Sequence, residues 1–246
     1  MLNYDDEAAG YDASRGGEAR AEAAADALTE LLPGDARLVA DLACGTGIVT
    51  ARLRRPGREV FGLDLSPGMA RVAAGRLPGR VQVADGRRLP LRSGVVDAVV
   101  MVWLLHLLAA ETAEAVFAEA ARVVAPGGVL LTTVEKHGAA LLPPSDVAEL
   151  IAPVRARCAL PHADGLARLT ELGTAHGLHP TGRTTFTGLG QGRSPQEWRT
   201  QLLAGRFDWT SRTTELPALC EQLRALPDQD RPRPDPVYQL VRFTKA

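Results

Sequence analysis

Along the first 135 residues, short continuously apolar runs alternate with stretches whose apolar positions recur at helical spacing. The runs "RLVADLA" (37–43), "EVFGLDL" (59–65), "RVQVAD" (80–85), "VVDAVVMVWLL" (95–105) and "GGVLLTTV" (127–134) predict strands of a parallel sheet covered on both faces. Helical patterns precede or separate most of them. "GEARAEAAADALTELL" (17–32) is rich in Ala, Leu and Glu and stops at Pro33-Gly34, and "ETAEAVFAEAARVV" (111–124) is the clearest amphipathic stretch. Pro-Gly pairs at 56–57, 67–68, 78–79 and 126–127 supply turns, so this part of the chain reads as repeated β-α units. Beyond residue 135 the pattern predicts helices in "LPPSDVAELIAPVRARC", "GLARLTELGTAHGL" and "TTELPALCEQLRAL", and a strand in "HPTGRTTFTGL". "SPQEWRTQLLAG" predicts a helix with Ser194 as N-cap and Pro195 in its first turn, and "VYQLVRFTKA" a terminal strand.

Composition narrows the class of protein. With 246 residues, 46% of them hydrophobic, the chain can bury the core of one large domain. A formal net charge of −1 carries no clustered excess of positive charge, which argues against a nucleic-acid partner. Cys44, Cys158 and Cys220 are odd in number and widely spaced, pointing to reduced thiols rather than disulfides or a zinc site. No apolar run reaches the roughly 18 residues that span a bilayer, and the N-terminus is acidic where a signal peptide would be basic, so a soluble cytoplasmic protein is expected.

The chemistry concentrates in "VADLACGTGIVTARL" (39–53), which follows a predicted strand and is expected to open a helix. Gly45 and Gly47 let the backbone turn tightly and approach a ligand, and N–H groups at a helix start would meet an anion. A dinucleotide fingerprint would place a third glycine where Thr50 stands, and Asp41 would repel a pyrophosphate. A carboxylate there suits instead a ligand carrying an ammonium group and a cationic centre but no phosphate, as S-adenosylmethionine does. Asp64 closes the second strand, where it can accept from both ribose hydroxyls, and Asp85 closes the third, where it can accept from an adenine amino group.

With these residues the chain resembles the class I S-adenosylmethionine-dependent methyltransferases of the small-molecule group. The segments that carry the resemblance are "VADLACGTG", "VFGLDLSPGMARVA", "VQVADGRRLPL", "VDAVVMVWLLHLL" and "ARVVAPGGVLLTTV". The family usually has Gly where Ala43 stands. The resemblance implies a Rossmann-like α/β fold: a seven-stranded, mostly parallel sheet in the order 3-2-1-4-5-7-6, its last strand antiparallel, with helices on both faces. It implies one domain over 1–246, with residues 1–135 as the cofactor half and 138–235 as the substrate side. It further implies that Asp41, Ala43, Gly45 and Thr46 line the methionine part of the cofactor, that Asp64, Leu65 and Met69 frame ribose and adenine, and that Asp85 and Gly86 hold the adenine edge. "YDASR" resembles the segment that folds over the cofactor, which would bring Tyr11 and Arg15 near its carboxylate.

The implied reaction is transfer of a methyl group to a small organic metabolite, with a natural product as one option and no nucleic acid, membrane or metal involved. His106, after the fourth strand, is the candidate catalytic base, although "WLLHLL" offers apolar neighbours and no local carboxylate to orient it. Asp97 reads as structural, Trp103 as packing before ligand contact, and Glu135, Lys136 and His137 as a solvated loop. Trp198, Phe207 and Trp209 either cover an apolar ligand or pack an added helix. Two further readings stand beside enzymatic methyl transfer: a non-catalytic cofactor-binding partner protein, and an NAD-dependent oxidoreductase, which Thr50 and Asp41 oppose. Substrate, acceptor atom and oligomeric state are not legible.

Overall fold

A computed structural model describes residues 3–246. Its helices are α1 (Tyr4–Glu7), α2 (Tyr11–Ser14), α3 (Gly17–Leu31), α4 (Pro67–Arg76), α5 (Ala110–Val123), α6 (Asp146–Cys158), α7 (Leu166–Ala175), α8 (Pro195–Leu203) and α9 (Leu216–Ala225). Its strands are β1 (Leu38–Leu42), β2 (Glu59–Asp64), β3 (Val81–Val83), β4 (Val96–Met101), β5 (Val124–Val134), β6 (Leu178–Thr187) and β7 (Val237–Lys245). The chain divides into two compact units. One comprises Met1–Lys136, His162–Phe186 and Tyr238–Ala246, the other His137–Pro161 and Thr187–Val237.

The first unit holds one seven-stranded sheet in the order β3-β2-β1-β4-β5-β7-β6. The pairs β1–β2, β1–β4, β2–β3 and β4–β5 are parallel, and β7 runs antiparallel to β5. The apolar runs form these strands because both faces of the central ones are covered: Val39, Ala40, Ala98, Val99, Val100, Leu130 and Leu131 are fully buried. Edge strand β3 is the exception, since Gln82 and Val83 face solvent. Phe117 of α5 meets Phe243 of β7 edge to face at 5.9 Å and anchors the core beside it.

Three predicted elements are shorter than the sequence pattern suggests, the third strand (80–85) pairing only over Val81–Val83. The helix expected after Gly47 is reduced to turns and a 3-10 segment over Thr50–Leu53. The β-branched Ile48, Val49 and Thr50 disfavour helix, and Pro56 closes the stretch within one turn. The fourth strand ends at Met101 instead of running to residue 105, because Trp103 turns into the left-handed region at φ 58°.

The second unit is built on α6, α8 and α9, with a core of Val147, Ile151, Trp198, Leu202, Trp209, Leu219 and Leu223. α8 begins as the sequence predicts: Ser194 accepts from the Glu197 backbone, Glu197 reaches back to the Ser194 N–H, and Pro195 occupies the first turn. Trp198 stacks on Phe207 at 5.2 Å, and Trp198 and Trp209 are buried, so these aromatics pack the helices of their own unit. Among the described residues no helix is long and apolar enough to cross a membrane.

Gly62, in the middle of β2, is closely approached by the chain leaving β1. A Cβ there would stand 2.5 Å from Cys44 Sγ and 2.9 Å from Cys44 Cβ. Gly62→Ala is expected to cost about 1–3 kcal/mol, as overpacking does in a closed core. Urea unfolding checks it: the midpoint should fall while the slope holds.

Candidate functional site

β1, β2 and β3 step outward on one side of the sheet, and the chain then returns to place β4 on the other side of β1. A crevice opens at such a reversal beyond the C-terminal ends of the strands. Asp41 and Asp64 stand there, near the end of β1 and at the end of β2. Asp64 is 8% exposed. One carboxylate oxygen accepts from Gly45 N at 2.8 Å and the other from Ser66 N at 2.9 Å. It thereby ties the loop after β1 to the turn after β2. The loop N–H of Gly45 is thus engaged by a carboxylate, and with the helix absent, the anion-binding helix start expected from the sequence is not formed.

Asp41 is 4% exposed and accepts from the Thr50 hydroxyl at 2.5 Å. Burial pushes its carboxyl up to about 7; the nearby Asp64 adds to the rise and the Thr50 hydrogen bond opposes it. Burial likewise raises Asp64, against the pull of the Ser66 and Gly45 N–H groups. Burial, with the two acids beside it, raises the neighbouring Cys44 thiol and favours its protonated form. Ala43 holds φ 58°, a conformation that glycine adopts without strain.

These residues open into a cavity of about 650 Å³. Of the residues singled out in the sequence, Tyr11, Arg15, Asp41, Ala43, Gly45, Thr46, Asp64, Leu65 and Met69 line it, and so does Trp103, which the sequence reads first as packing. The N-terminal segment covers part of it through two carboxylates. Asp5 accepts from the Ser66 hydroxyl (2.6 Å) and Gly68 N (2.7 Å), while Asp12 accepts from the Thr46 hydroxyl (2.6 Å) and Arg76 (2.8 Å). Tyr4 also lines the cavity, 6.2 Å from the Tyr11 ring, and Arg15 lies over that ring at 5.5 Å. Neither Tyr4 nor Asp5 carries a sequence signal, because their partners lie more than sixty residues away or arise from folding.

Asp85 and Gly86 line a separate hollow of about 150 Å³, whose other residues include Ala43, Leu65, Leu104 and Leu108, all four shared with the larger cavity. Asp85 is held by Arg87 through Nε, Nη2 and the backbone N–H, which keep its carboxyl below the usual range. Leu65, 67% exposed, offers an apolar surface to both hollows. His106 lies in the 3-10 turn Leu105–Leu107; its neighbours Leu104, Leu107 and Leu108 line the cavity, but His106 is not among the lining residues. Asp97 accepts from Arg37 N and Leu38 N at 2.8 Å each and fixes the start of β1. Glu135 accepts from Leu166 N, ordering the entry to α7.

Residues 40–132 match the family described as Methyltransferase domain. The chain is 37% identical over 116 residues to the biotin biosynthesis bifunctional protein BioHC of Saccharophagus degradans, covering 44% of this chain and 20% of that protein. It is 42% identical over 98 residues to the malonyl-[acyl-carrier protein] O-methyltransferase of Geobacter sulfurreducens, covering 37% and 36%. The chain therefore spans well under half the length of these curated relatives. Among solved structures, the methyltransferase in complex with the Trm112 methyltransferase activator of Haloferax volcanii superposes with a TM-score of 0.60 at 22% identity, over 100% of this chain and 98% of that one. That likeness is one of fold.

The raised carboxyl of Asp41 makes a pH prediction. Between the ordinary carboxyl value of 3.8 and about 7 the folded chain binds a proton that the unfolded chain has released. Its contribution to stability therefore falls as pH rises through that window and is level above it. Asp41→Asn removes this fall, so the stability of the variant relative to the original should increase from pH 5 to pH 8. Urea unfolding at the two pH values, at fixed ionic strength, checks it; a constant difference would contradict the assignment.

Proposed function

We propose that this chain, whose residues 40–132 match the Methyltransferase domain family, is a class I S-adenosylmethionine-dependent methyltransferase that transfers the cofactor's methyl group to a small organic molecule held in the same cavity. The observation that carries the proposal is the pair of buried carboxylates, Asp41 and Asp64, facing one cavity at the reversal of the sheet. Two acids in a shared low-dielectric space favour a ligand that brings positive charge and hydroxyl donors and disfavour one that brings phosphate. The cavity volume of about 650 Å³ is in the ordinary range for small-molecule sites. That arrangement supports S-adenosylmethionine over a nicotinamide dinucleotide.

Bound there, the cofactor supplies an electrophilic methyl on a sulfonium and a neutral thioether leaving group. The protein's part is to orient and desolvate. Asp64 accepts from the ribose hydroxyls with the oxygen lone pairs left over from Gly45 and Ser66. Asp41 faces the ammonium group, and ion pairing there favours its charged form. Ala43 and Gly45, with little or no side chain, leave space for the methionine portion beside Thr46, while Leu65 and Met69 offer apolar surface to the adenine. Asp85 meets the adenine amino group only by sharing the carboxylate that Arg87 now holds. Tyr11 and Arg15 close the cofactor's carboxylate end. The walls past β4, Val102, Trp103, Leu104, Leu107 and Leu108, are largely apolar and exclude water from the acceptor.

Saturating S-adenosylhomocysteine, at about one hundred times its dissociation constant, should stabilise the protein by about 2.7 kcal/mol. Asp64→Ala should weaken its binding by about 1.5–3 kcal/mol, the range for a hydrogen bond to a charged group, as read by calorimetric titration with folding checked by thermal melt. Unchanged affinity would remove Asp64 from the site. His106→Ala distinguishes positioning from proton transfer. Its turnover, followed by labelled methyl transfer to an acceptor panel, should change by less than about tenfold, whereas loss of a general base costs roughly 10²–10⁴-fold.

A further inference from the structure

α3 packs its buried face with small residues, Ala21, Ala24, Ala25 and Ala27, yet the same face carries Arg20, which is 7% exposed and lines the cavity. Its Nη1 donates to the Arg15 carbonyl at 2.5 Å, and its Nε has no hydrogen-bond partner. No carboxylate among the described residues lies within ion-pair distance of it. Nearby Asp12 is already held by Arg76 and Thr46. Burial lowers the guanidinium's proton affinity, as expected for a cation removed from water without a counter-ion.

What supports the charge is Trp103, whose ring lies under the guanidinium carbon at 3.5 Å. That ring is held by its neighbours. Its backbone N–H donates to the Thr133 hydroxyl at 2.8 Å, and Phe186 and Tyr238 meet it edge-on at 5.6 and 5.4 Å. The left-handed backbone at Trp103 is the strained feature that presents the indole this way. A guanidinium stacked over an indole at a cavity wall, with no carboxylate partner among the described residues, is arranged for a planar oxyanion.

Resting on the methyltransferase reading, we propose that Arg20 anchors a carboxylate of the methyl acceptor, and that the acceptor is a small carboxylic acid with an apolar body. Position sets Arg20 apart from the ribose and adenine end of the cofactor, which Asp64 marks. Asp64 lies on β2, whereas Arg20 stacks on Trp103 beyond β4, beside Phe186 of β6 and Tyr238 of β7, on the opposite side of the reversal. The cavity lining favours a monoanion over a phosphate dianion, because Asp5, Asp12, Asp41 and Asp64 outnumber Arg15 and Arg20. Val102, Leu104, Leu107 and Leu108 meet the apolar body.

The test measures calorimetric binding of phenylacetate, hexanoate and 4-hydroxybenzoate, each against its neutral amide, with and without saturating S-adenosylhomocysteine. At least one acid is expected to bind ten times or more tighter than its amide. Arg20→Gln should bring that ratio to about one, and Arg20→Lys should keep part of it. The affinities of S-adenosylhomocysteine and of 5′-methylthioadenosine, which lacks the amino-acid portion, should each change less than threefold in Arg20→Gln. The proposal is overturned if no acid is preferred over its amide, or if Arg20→Gln keeps the preference. It is also overturned if that variant loses S-adenosylhomocysteine tenfold while keeping 5′-methylthioadenosine, which would assign Arg20 to the cofactor. Failure of the original protein to bind S-adenosylhomocysteine would instead refute the methyltransferase reading, and the acid preference without cofactor would still be read.

Discussion

Two carboxylates buried side by side at adjacent strand ends impose the condition on which the rest of the site depends. Asp64 is satisfied by backbone, since Gly45 and Ser66 both donate to it, and those bonds set the course of the loops leaving β1 and β2. Asp41 has the Thr50 hydroxyl, and burial pushes its carboxyl up to about 7. Packing follows from the same geometry. Cys44 can close against β2 only because position 62 is glycine, and Ala43 must enter the left-handed region to carry the chain past Asp64. Such a site places two carboxylates in one low-dielectric space with no cation among the described residues paired to either.

Acids also hold the segment that covers the cavity. α1 and α2 are four residues each, too short to be stable helices alone. They persist because Asp5 grips the start of α4 and Asp12 bridges Thr46 and Arg76. Binding Thr46 from outside also orients the loop from which Ala43 and Gly45 reach the cavity, so the cover and the loop are one mechanical system. Arg20 enters the cavity from the next helix. In contrast to Arg76, it has an aromatic face where a carboxylate would be expected.

The sequence by itself determined the order of elements, the caps and the identity of the acids. Strands of the first 135 residues were legible because a covered parallel sheet demands continuous apolar runs, and Asp41 and Asp64 were legible because each sits at the end of such a run. The Ser194 cap was an equally local matter, whereas the partners of Asp97, Arg37 and Leu38, lie some sixty positions away. Where local signals compete, tertiary structure decided. The helix after Gly47 gave way to a 3-10 turn, and β4 stopped at Trp103, where the backbone turns to seat the indole among Phe186 and Tyr238. Asp85 turned toward Arg87, His106 fell outside the cavity lining, and Trp198 and Trp209 became core. Arg20, Tyr4 and Asp5 could not be found in the sequence at all. An arginine in an alanine-rich helix looks like a solvated face until folding buries it against an indole more than eighty positions away. Spacing encodes what neighbouring residues do to one another, and only the closed chain fixes which distant charge is left without a counter-ion.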